Sequence, residues 1–216
     1  DDDTTPALAA RTAARVVTVG TAASADVVVR DLVLDDALRP TFTLASPWGS
    51  TTVRLALRGA HQALNAAMSI TVAALLDVDV DGAAAALAST TSADWRMELV
   101  EAPGGVVVLN DAYNASPSSM HASLRAFAAL APGRRHVAVV GDMLELGECS
   151  RSEHEAVGTL AGVLGIDVVV AVGEASRATA DAAAASGAVA VHVADRDAAL
   201  RAVAGIVQPG DAILVK

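Results

Sequence analysis

Residues 106–120, VVVLNDAYNASPSSM, decide the fold predicted for this chain. The stretch begins with four apolar, mostly β-branched residues, which is typical of a buried strand in a parallel sheet. Asn110 and Asp111 follow directly, and Ser116-Pro117 favours a helix start, because serine caps a helix and proline suits its first turn. A buried strand that delivers polar side chains into a short loop before a helix is the usual layout of a ligand site in an α/β sheet.

The chain after this stretch alternates between helices and apolar strands. Repeated β-α units predict a parallel sheet with right-handed crossovers. Just before the stretch, Ala102-Pro103-Gly104-Gly105 separates two short apolar runs and predicts a hairpin. The predicted helices are 117–130, 152–164, 175–185 and 197–207, and the predicted strands that follow them are 136–140, 168–172, 189–193 and 212–215.

Polar residues come directly after several predicted strands, where α/β sheets bind their ligands. Gly141-Asp142 lies in a long loop with unusual composition, and we interpret it, like Asp111, as functional. Gly173-Glu174 and Asp195 fit turns and helix caps at least as well.

Before residue 97 the predicted strands do not alternate with helices but are grouped ahead of two helices. The opening run Asp1-Asp2-Asp3 shows no strand or helix pattern. We place a domain boundary near Ala93. The predicted helices here are 5–14, 60–76 and 82–88, and the predicted strands are 16–20, 26–34, 41–45 and 52–57.

Composition limits the classes of function. Hydrophobic residues make up 53% of the 216 residues, which excludes a disordered chain. The net charge of −10 argues against nucleic acid or an anionic membrane as a general partner, but it leaves room for a phosphorylated small molecule. Cys149 is the single cysteine, so no disulfide forms within the chain; we interpret it as an incidental loop residue in a reducing compartment. The start of the chain has no signal-peptide pattern.

Common catalytic motifs are absent. The sequence lacks a GxxxxGK[ST] phosphate loop, a GxGxxG turn, HExxH, paired cysteines and GxSxG. The histidines are scattered without metal-ligand spacing. Residue chemistry alone therefore predicts a polar site at the strand ends of an α/β domain, and no particular reaction.

Three stretches, in this order and spacing, resemble the Mur ligases, the ATP-dependent amide ligases of peptidoglycan precursor synthesis. Residues 59–66, GAHQALNA, resemble the family's GxHNxxNA helix start. Residues 95–98, WRME, are similar to the segment with an arginine just before the family's C-terminal domain. The patterns DxYNxxPxSM from Asp111 and GDMxELGxxSxxxH from Gly141 are specific to the MurF branch. Two departures are that Gln62 replaces the usual Asn, and that Ser116 replaces an Asn common before the proline.

The resemblance implies an α/β fold in which a C-terminal Rossmann-like domain with a mainly parallel sheet follows a partial α/β ATPase domain. Residues 1–94 correspond to the second half of the central ATP-binding domain, and 95–216 to most of the C-terminal ligase domain. The family's UDP-substrate domain and phosphate loop lie outside this chain, so we expect this fragment alone to be inactive.

The implied activity is that of the MurF branch, which adds D-Ala-D-Ala to UDP-N-acetylmuramoyl-tripeptide through an acyl phosphate. The implied cofactors are ATP and Mg²⁺, with the metal ligands outside this chain, and we expect a cytoplasmic monomer. The alternatives are another Mur-type or folylpolyglutamate-type ligase, or a non-catalytic Rossmann-like binding module.

The resemblance also implies site residues, whose roles fall into three groups. Arg96 would be the catalytic cation at the γ-phosphate, and Asp111 the acceptor for the ribose hydroxyls. Gln62 and Asn65 would face adenine, while His61 either orients the nucleotide or satisfies a backbone carbonyl. The residues expected near the dipeptide, the acyl phosphate or the incoming amine are Tyr113, Asn114, Ser116, Asp142, Glu145 and His154. The loop that carries Asp142 and Glu145 fits a purely structural role equally well, and His154 could instead brace that loop.

Overall fold

The computed structural model describes residues 4–216, which divide into two compact units between Thr91 and Ser92. The predicted boundary followed Asp94, a few residues further on. The prediction for Asp1-Asp2-Asp3 lies outside the described residues. No helix in the described part of the chain is both long and apolar enough to cross a membrane.

The first unit combines a small mixed sheet with helices. Its strands pair in the order β1-β2-β3-β4, with β1 parallel to β2 and the other pairs antiparallel. Phe42 and Leu44 are buried together with Ala67 and Ile70, so the sheet and the longest helix form one apolar core. The elements are α1 (Thr5–Ala9), β1 (Val19–Gly20), β2 (Val27–Leu34), β3 (Pro40–Ser46), β4 (Gly49–Arg54), α2 (His61–Leu75) and α3 (Val80–Ala88).

Three predicted elements of this unit differ from the structure. The helix predicted over 5–14 ends at Ala9, and the strand predicted over 16–20 is reduced to Val19–Gly20 because only those residues pair with β2. The strand predicted over 52–57 instead covers Gly49–Arg54. The reason is a tight turn that pairs Ser46 with Gly49 and so starts the hairpin partner earlier.

The second unit is the predicted α/β domain. Its sheet has the order β5-β6-β10-β7-β8-β9, in which β5 is antiparallel to β6 and all other pairs are parallel. This confirms the fold class. The elements are β5 (Glu98–Ala102), β6 (Val106–Asn110), α4 (Pro117–Ala129), β7 (His136–Gly141), α5 (Ser150–Val163), β8 (Val168–Val172), α6 (Arg177–Ala185), β9 (Val189–Val193), α7 (Arg196–Ile206) and β10 (Ala212–Val215).

Small residues allow close packing in this unit. The side of the sheet that carries Val137, Val170 and Ile213 packs against α7. Helices α5 and α6 contact each other at Gly158, where an added Cβ would overlap the carbonyl oxygen of Thr179. A core rich in Ala and Val, with few aromatic residues, is consistent with this close approach of the two helices.

Candidate functional site

The carboxyl ends of three parallel strands form one edge in the second unit. Strand β10 lies between β6 and β7, and Val215 is in register with both Asn110 and Val139. The residues that follow these strands therefore lie at the same edge of the sheet. They are Asp111, Lys216 and Asp142, so the predicted gathering of polar residues at the strand ends is present.

Asp111 is the most tightly bound side chain at this edge. Its Oδ2 lies 2.6 Å from the ammonium nitrogen of Lys216 and also accepts from the hydroxyl of Ser123. Its Oδ1 accepts from the backbone N–H of Met97 at 3.1 Å. The residue is only 7% exposed, so its carboxylate joins the end of β10, helix α4 and the segment before β5.

This geometry adds to the role predicted for Asp111. The resemblance implies a carboxylate that is an open acceptor for ribose hydroxyls, whereas in the structure both oxygens already have partners. A carboxylate has about four acceptor positions and three donors already occupy this one, so about one position remains for a ligand. Lys216 and Ser123 were not predicted. The one available signal was that Lys216 is the only lysine and directly follows an apolar strand.

Arg96 lies on the surface of the same unit. Its guanidinium carbon is over the ring of Tyr113, which is itself 58% exposed. A hydrogen bond from the N–H of Tyr113 to the carbonyl oxygen of Trp95, 3.2 Å long, joins the two segments. Among the described residues, no ion pair involves Arg96. The cation is therefore held by a neutral ring and keeps its charge for an anionic ligand.

The backbone around Arg96 is strained. Trp95 has a φ of 61° and Met97 a φ of 50°, both in the left-handed region that residues with a Cβ avoid. Such conformations persist only where surrounding contacts enforce them, and they cluster at functional sites. The hydroxyl of Ser92 also donates to the Arg96 carbonyl oxygen at 2.8 Å.

The loop after β6 ends in a capped helix, as predicted. Ser116 is the N-cap of α4, and its side chain accepts from the N–H of Ser119, whose hydroxyl in turn accepts from the N–H of Ser116. This is a capping box with serine in both positions. Ser116 therefore stabilises the start of α4 at the edge of the site. Asn114 is exposed in the loop before it.

The loop that follows β7 is anchored by Asp142 and His154. Oδ1 of Asp142 accepts from the N–H of Ser176 at 2.7 Å, at the start of α6. The His154 ring accepts at Nε2 from the N–H of Met143, 3.0 Å away, and its Nδ1 lies 2.7 Å from the carbonyl oxygen of Ser150. His154 is fully buried, and its ring braces the loop from inside, which is the second of the two roles that the sequence suggests for it. Glu145 is exposed on that loop.

The predicted adenine-side residues lie at the start of α2 in the first unit. Gly59 has a φ of 97°, a conformation that suits glycine, and the chain turns there into the helix. His61 and Gln62 are half-buried, and Asn65 is exposed. The Asn65 amide nitrogen donates to the Gln62 side-chain oxygen at 3.1 Å, so the longer residue at position 62 is paired with the second predicted amide.

No group of three or more His, Cys, Asp or Glu side chains within residues 4–216 is arranged to hold a metal ion. Cys149 is exposed and unpaired by any disulfide.

Comparison with known proteins identifies the family. Residues 95–216 match the family described as "Mur ligase, glutamate ligase domain". The chain belongs to the Mur ligase family. Within it, the resemblance to the MurF branch is confirmed by a Mycobacterium tuberculosis relative named UDP-N-acetylmuramoyl-tripeptide--D-alanyl-D-alanine ligase. That relative is 39% identical over 237 residues, which cover 100% of this chain and 46% of the relative.

Solved structures of Mur ligases agree with this assignment. A crystal structure of MurF from Acinetobacter baumannii superposes with a TM-score of 0.86 at 26% identity, over 100% of this chain and 46% of that one. MurF from Thermotoga maritima in complex with ADP gives a TM-score of 0.72 at 26% identity, over 93% of this chain and 44% of that one. The chain thus spans about half the length of the Mur ligases that it matches.

Proposed function

We propose that this chain is part of an ATP-dependent amide ligase that joins D-Ala-D-Ala to UDP-N-acetylmuramoyl-tripeptide in peptidoglycan precursor synthesis. The observation that carries the proposal is the match over the whole chain to a relative of that name. The same similarity favours this branch over a folylpolyglutamate-type ligase or a binding module. Residues 1–94 would be the second half of the central ATP-binding domain and 95–216 the C-terminal ligase domain.

The proposed reaction has two steps. A carboxylate oxygen of the tripeptide attacks the γ-phosphorus of ATP, and ADP leaves. The amine of D-Ala-D-Ala then attacks the acyl carbon and the C–N bond forms. The nitrogen gives up one proton, and the C–O bond breaks to release phosphate, which can accept that proton. Catalysis of phosphoryl transfer consists mostly of positioning and neutralisation of charge.

Arg96 is the residue of this chain suited to neutralise transferring phosphate. It is exposed, forms no ion pair with a carboxylate within residues 4–216, and offers a planar set of N–H donors that matches phosphate oxygens. The ADP named in the Thermotoga structure supports a nucleotide site in this fold. Asp111 would accept from a ribose hydroxyl with its remaining acceptor position. Gln62 and Asn65, with His61 beside them, would contact adenine.

The loop residues would face the other substrates. We assign Tyr113, Asn114 and Ser116 to the neighbourhood of the dipeptide and the acyl phosphate, and Glu145 and Asp142 to that of the incoming amine. Mg²⁺ would neutralise phosphate charge when bound, but the described residues contain no cluster that fits it, so its ligands would lie elsewhere in the protein. We further propose a cytoplasmic monomer with neither nucleic acid nor membrane as a partner.

A ligation assay on the complete protein tests the proposal. UDP-N-acetylmuramoyl-tripeptide and ATP are supplied with D-Ala-D-Ala or with single amino acids, and product and released phosphate are measured. We expect product only with the dipeptide and ATP. Preference for a single amino acid would assign the protein to another branch. No product and no released phosphate with any acceptor would favour the binding module. The 216-residue chain alone should form no product.

A further inference from the structure

We propose that Lys216 is a positioning residue for Arg96: through the buried carboxylate of Asp111 it fixes the backbone at Met97 and so directs the arginine. The inference rests on the proposed function for its catalytic consequence, but not for its structural content. Lys216 has no role in the sequence analysis or in the function proposed above.

The backbone of Lys216 is hydrogen-bonded to strand β7. Its N–H donates to the carbonyl oxygen of Val139 at 2.9 Å, and its own carbonyl oxygen accepts from the N–H of Gly141 at 2.8 Å. Its side chain is only 4% exposed. An ammonium group loses its hydration on burial and requires an anionic partner, and here Asp111 is that partner.

Asp111 transmits this anchoring to a second segment. Because Lys216 and Ser123 hold Oδ2, the carboxylate cannot rotate freely, and Oδ1 is directed at the N–H of Met97. The N–H of Asp111 itself donates to the carbonyl oxygen of Val215 at 2.9 Å. The end of β10 thus fixes both the backbone and the side chain of Asp111.

Met97 directly follows Arg96 and, like Trp95 on the other side of the arginine, has a left-handed backbone conformation. A strained backbone relaxes when the contacts that enforce it are removed. Loss of the carboxylate's orientation should therefore free the segment 95–97 and move the guanidinium away from the Tyr113 ring. A buried ion pair adds little stability compared with apolar side chains, so the benefit of this pair lies in orientation.

Hydrogen exchange on the 216-residue chain tests the structural part. In Lys216→Met, the Met97 amide should exchange at least about tenfold faster, while amides in β8 keep their rates. The matched control is Arg135→Met, which removes the other partly buried ion pair of this unit, with Asp211 at 2.9 Å, at the amino ends of the strands. That control should leave Met97 exchange unchanged. Unchanged Met97 exchange in Lys216→Met overturns the inference.

Lys216→Met leaves a buried carboxylate without its cation and for that reason can fail to fold. The double variant Lys216→Met with Asp111→Asn has no unpaired buried charge and keeps an oxygen that can accept from Met97. Faster Met97 exchange in this variant supports the inference, and wild-type exchange overturns it.

Kinetics of the complete ligase test the connection to Arg96. Lys216→Met should lower turnover by roughly tenfold or more with little change in the Michaelis constant for the tripeptide, as expected when a transition-state contact is misplaced. In an Arg96→Ala background, Lys216→Met should cause no further loss, because both changes remove the same interaction. Losses that multiply would overturn the inference. Normal turnover of Arg96→Ala alone would instead refute the role of Arg96 in the proposed function. The exchange rate of the Met97 amide would still show whether Lys216 fixes the backbone at Met97.

Discussion

The guanidinium carbon of Arg96 lies 4.0 Å from the centre of the Tyr113 ring. A neutral aromatic face attracts the cation through its quadrupole and leaves the N–H edge of the guanidinium open. A carboxylate in the same place would orient the arginine equally well, but it would cancel the charge that a phosphate needs. This pairing therefore suits an arginine that is oriented by its neighbour and still has an uncompensated charge with which to bind an anionic ligand.

Replacement of Arg96 by alanine in the complete protein should lower turnover by roughly 10²-fold or more, because a cation at the transferring phosphate acts mainly in the transition state. Steady-state phosphate release measures the effect. Arg201→Ala removes an exposed arginine on α7 and serves as the control, with turnover expected to stay at the wild-type level. Near-normal turnover of Arg96→Ala would refute the assignment.

Two substitutions at Tyr113 separate its ring from its hydroxyl. Tyr113→Phe keeps an aromatic face, so turnover should be maintained, whereas Tyr113→Leu should lower turnover about two- to fivefold, the range expected for an exposed cation–π contact. Turnover and the Michaelis constant for D-Ala-D-Ala are measured for each. If Tyr113→Phe raises that Michaelis constant, the hydroxyl contacts the dipeptide and the ring is not the main contribution.

Two helical glycines should respond oppositely to alanine, because one lies in the contact between α5 and α6 and the other has open space beside it. Gly158→Ala places a Cβ against the carbonyl oxygen of Thr179 and should lower the free energy of unfolding by about 1–3 kcal/mol. Gly205→Ala, in α7, meets nothing within 4 Å and should raise it by about 0.5–1 kcal/mol. Urea unfolding of both variants measures the difference. Equal stability would contradict the close packing of α5 on α6.

Asp35 should make the first unit sensitive to acid. Burial opposes ionisation of its carboxyl, but the N–H groups of Arg39 and Ala37 and the Arg39 guanidinium outweigh this and hold its pKa below the ordinary value. Because the pKa is lower in the folded state, the stabilisation is complete above the unfolded-state pKa of about 3.9 and is lost as pH falls through the folded pKa.

Comparison of the wild type with Asp35→Asn shows this contribution. We expect the wild type to be the more stable at pH 6, and the difference in unfolding free energy to narrow as the solution is acidified below about pH 4. Chemical unfolding at several pH values provides the measurement. A difference that stays constant with pH would show that hydrogen-bond geometry, and not charge, stabilises this turn.

The second unit could be predicted from the sequence because its strands are short, uninterrupted apolar runs. Runs such as 168–172 are buried on both faces of the sheet, and their limits agree with the structure. The first unit was harder, since the pairing of Ser46 with Gly49 depends on turn geometry that an alternating pattern does not specify. Propensity alone could not end α1 at Ala9.

The sequence predicted that polar residues gather at the strand ends of the candidate site, but not which of them pair with each other. The motifs indicated Arg96 and Asp111, but Asp111 pairs with a lysine 105 positions away, and no local pattern links two residues at that separation. His154 illustrates a similar difficulty, because its position in a motif allowed either a substrate contact or a bracing role, and its burial and ring contacts became visible only in the structure. The burial and the hydrogen-bond partners of a side chain depend on the tertiary fold. Only the structure therefore shows which motif residues are exposed and which are buried and support others.

The position of β10 has a consequence for synthesis of the protein. This strand fills the space between β6 and β7, although it leaves the ribosome long after both. Until it arrives, β6 and β7 have unpaired inner edges, which are open to association with other chains. Lys216 reaches Asp111 only when that gap closes, so the carboxylate of Asp111 cannot gain this counter-charge before β10 pairs with its neighbours.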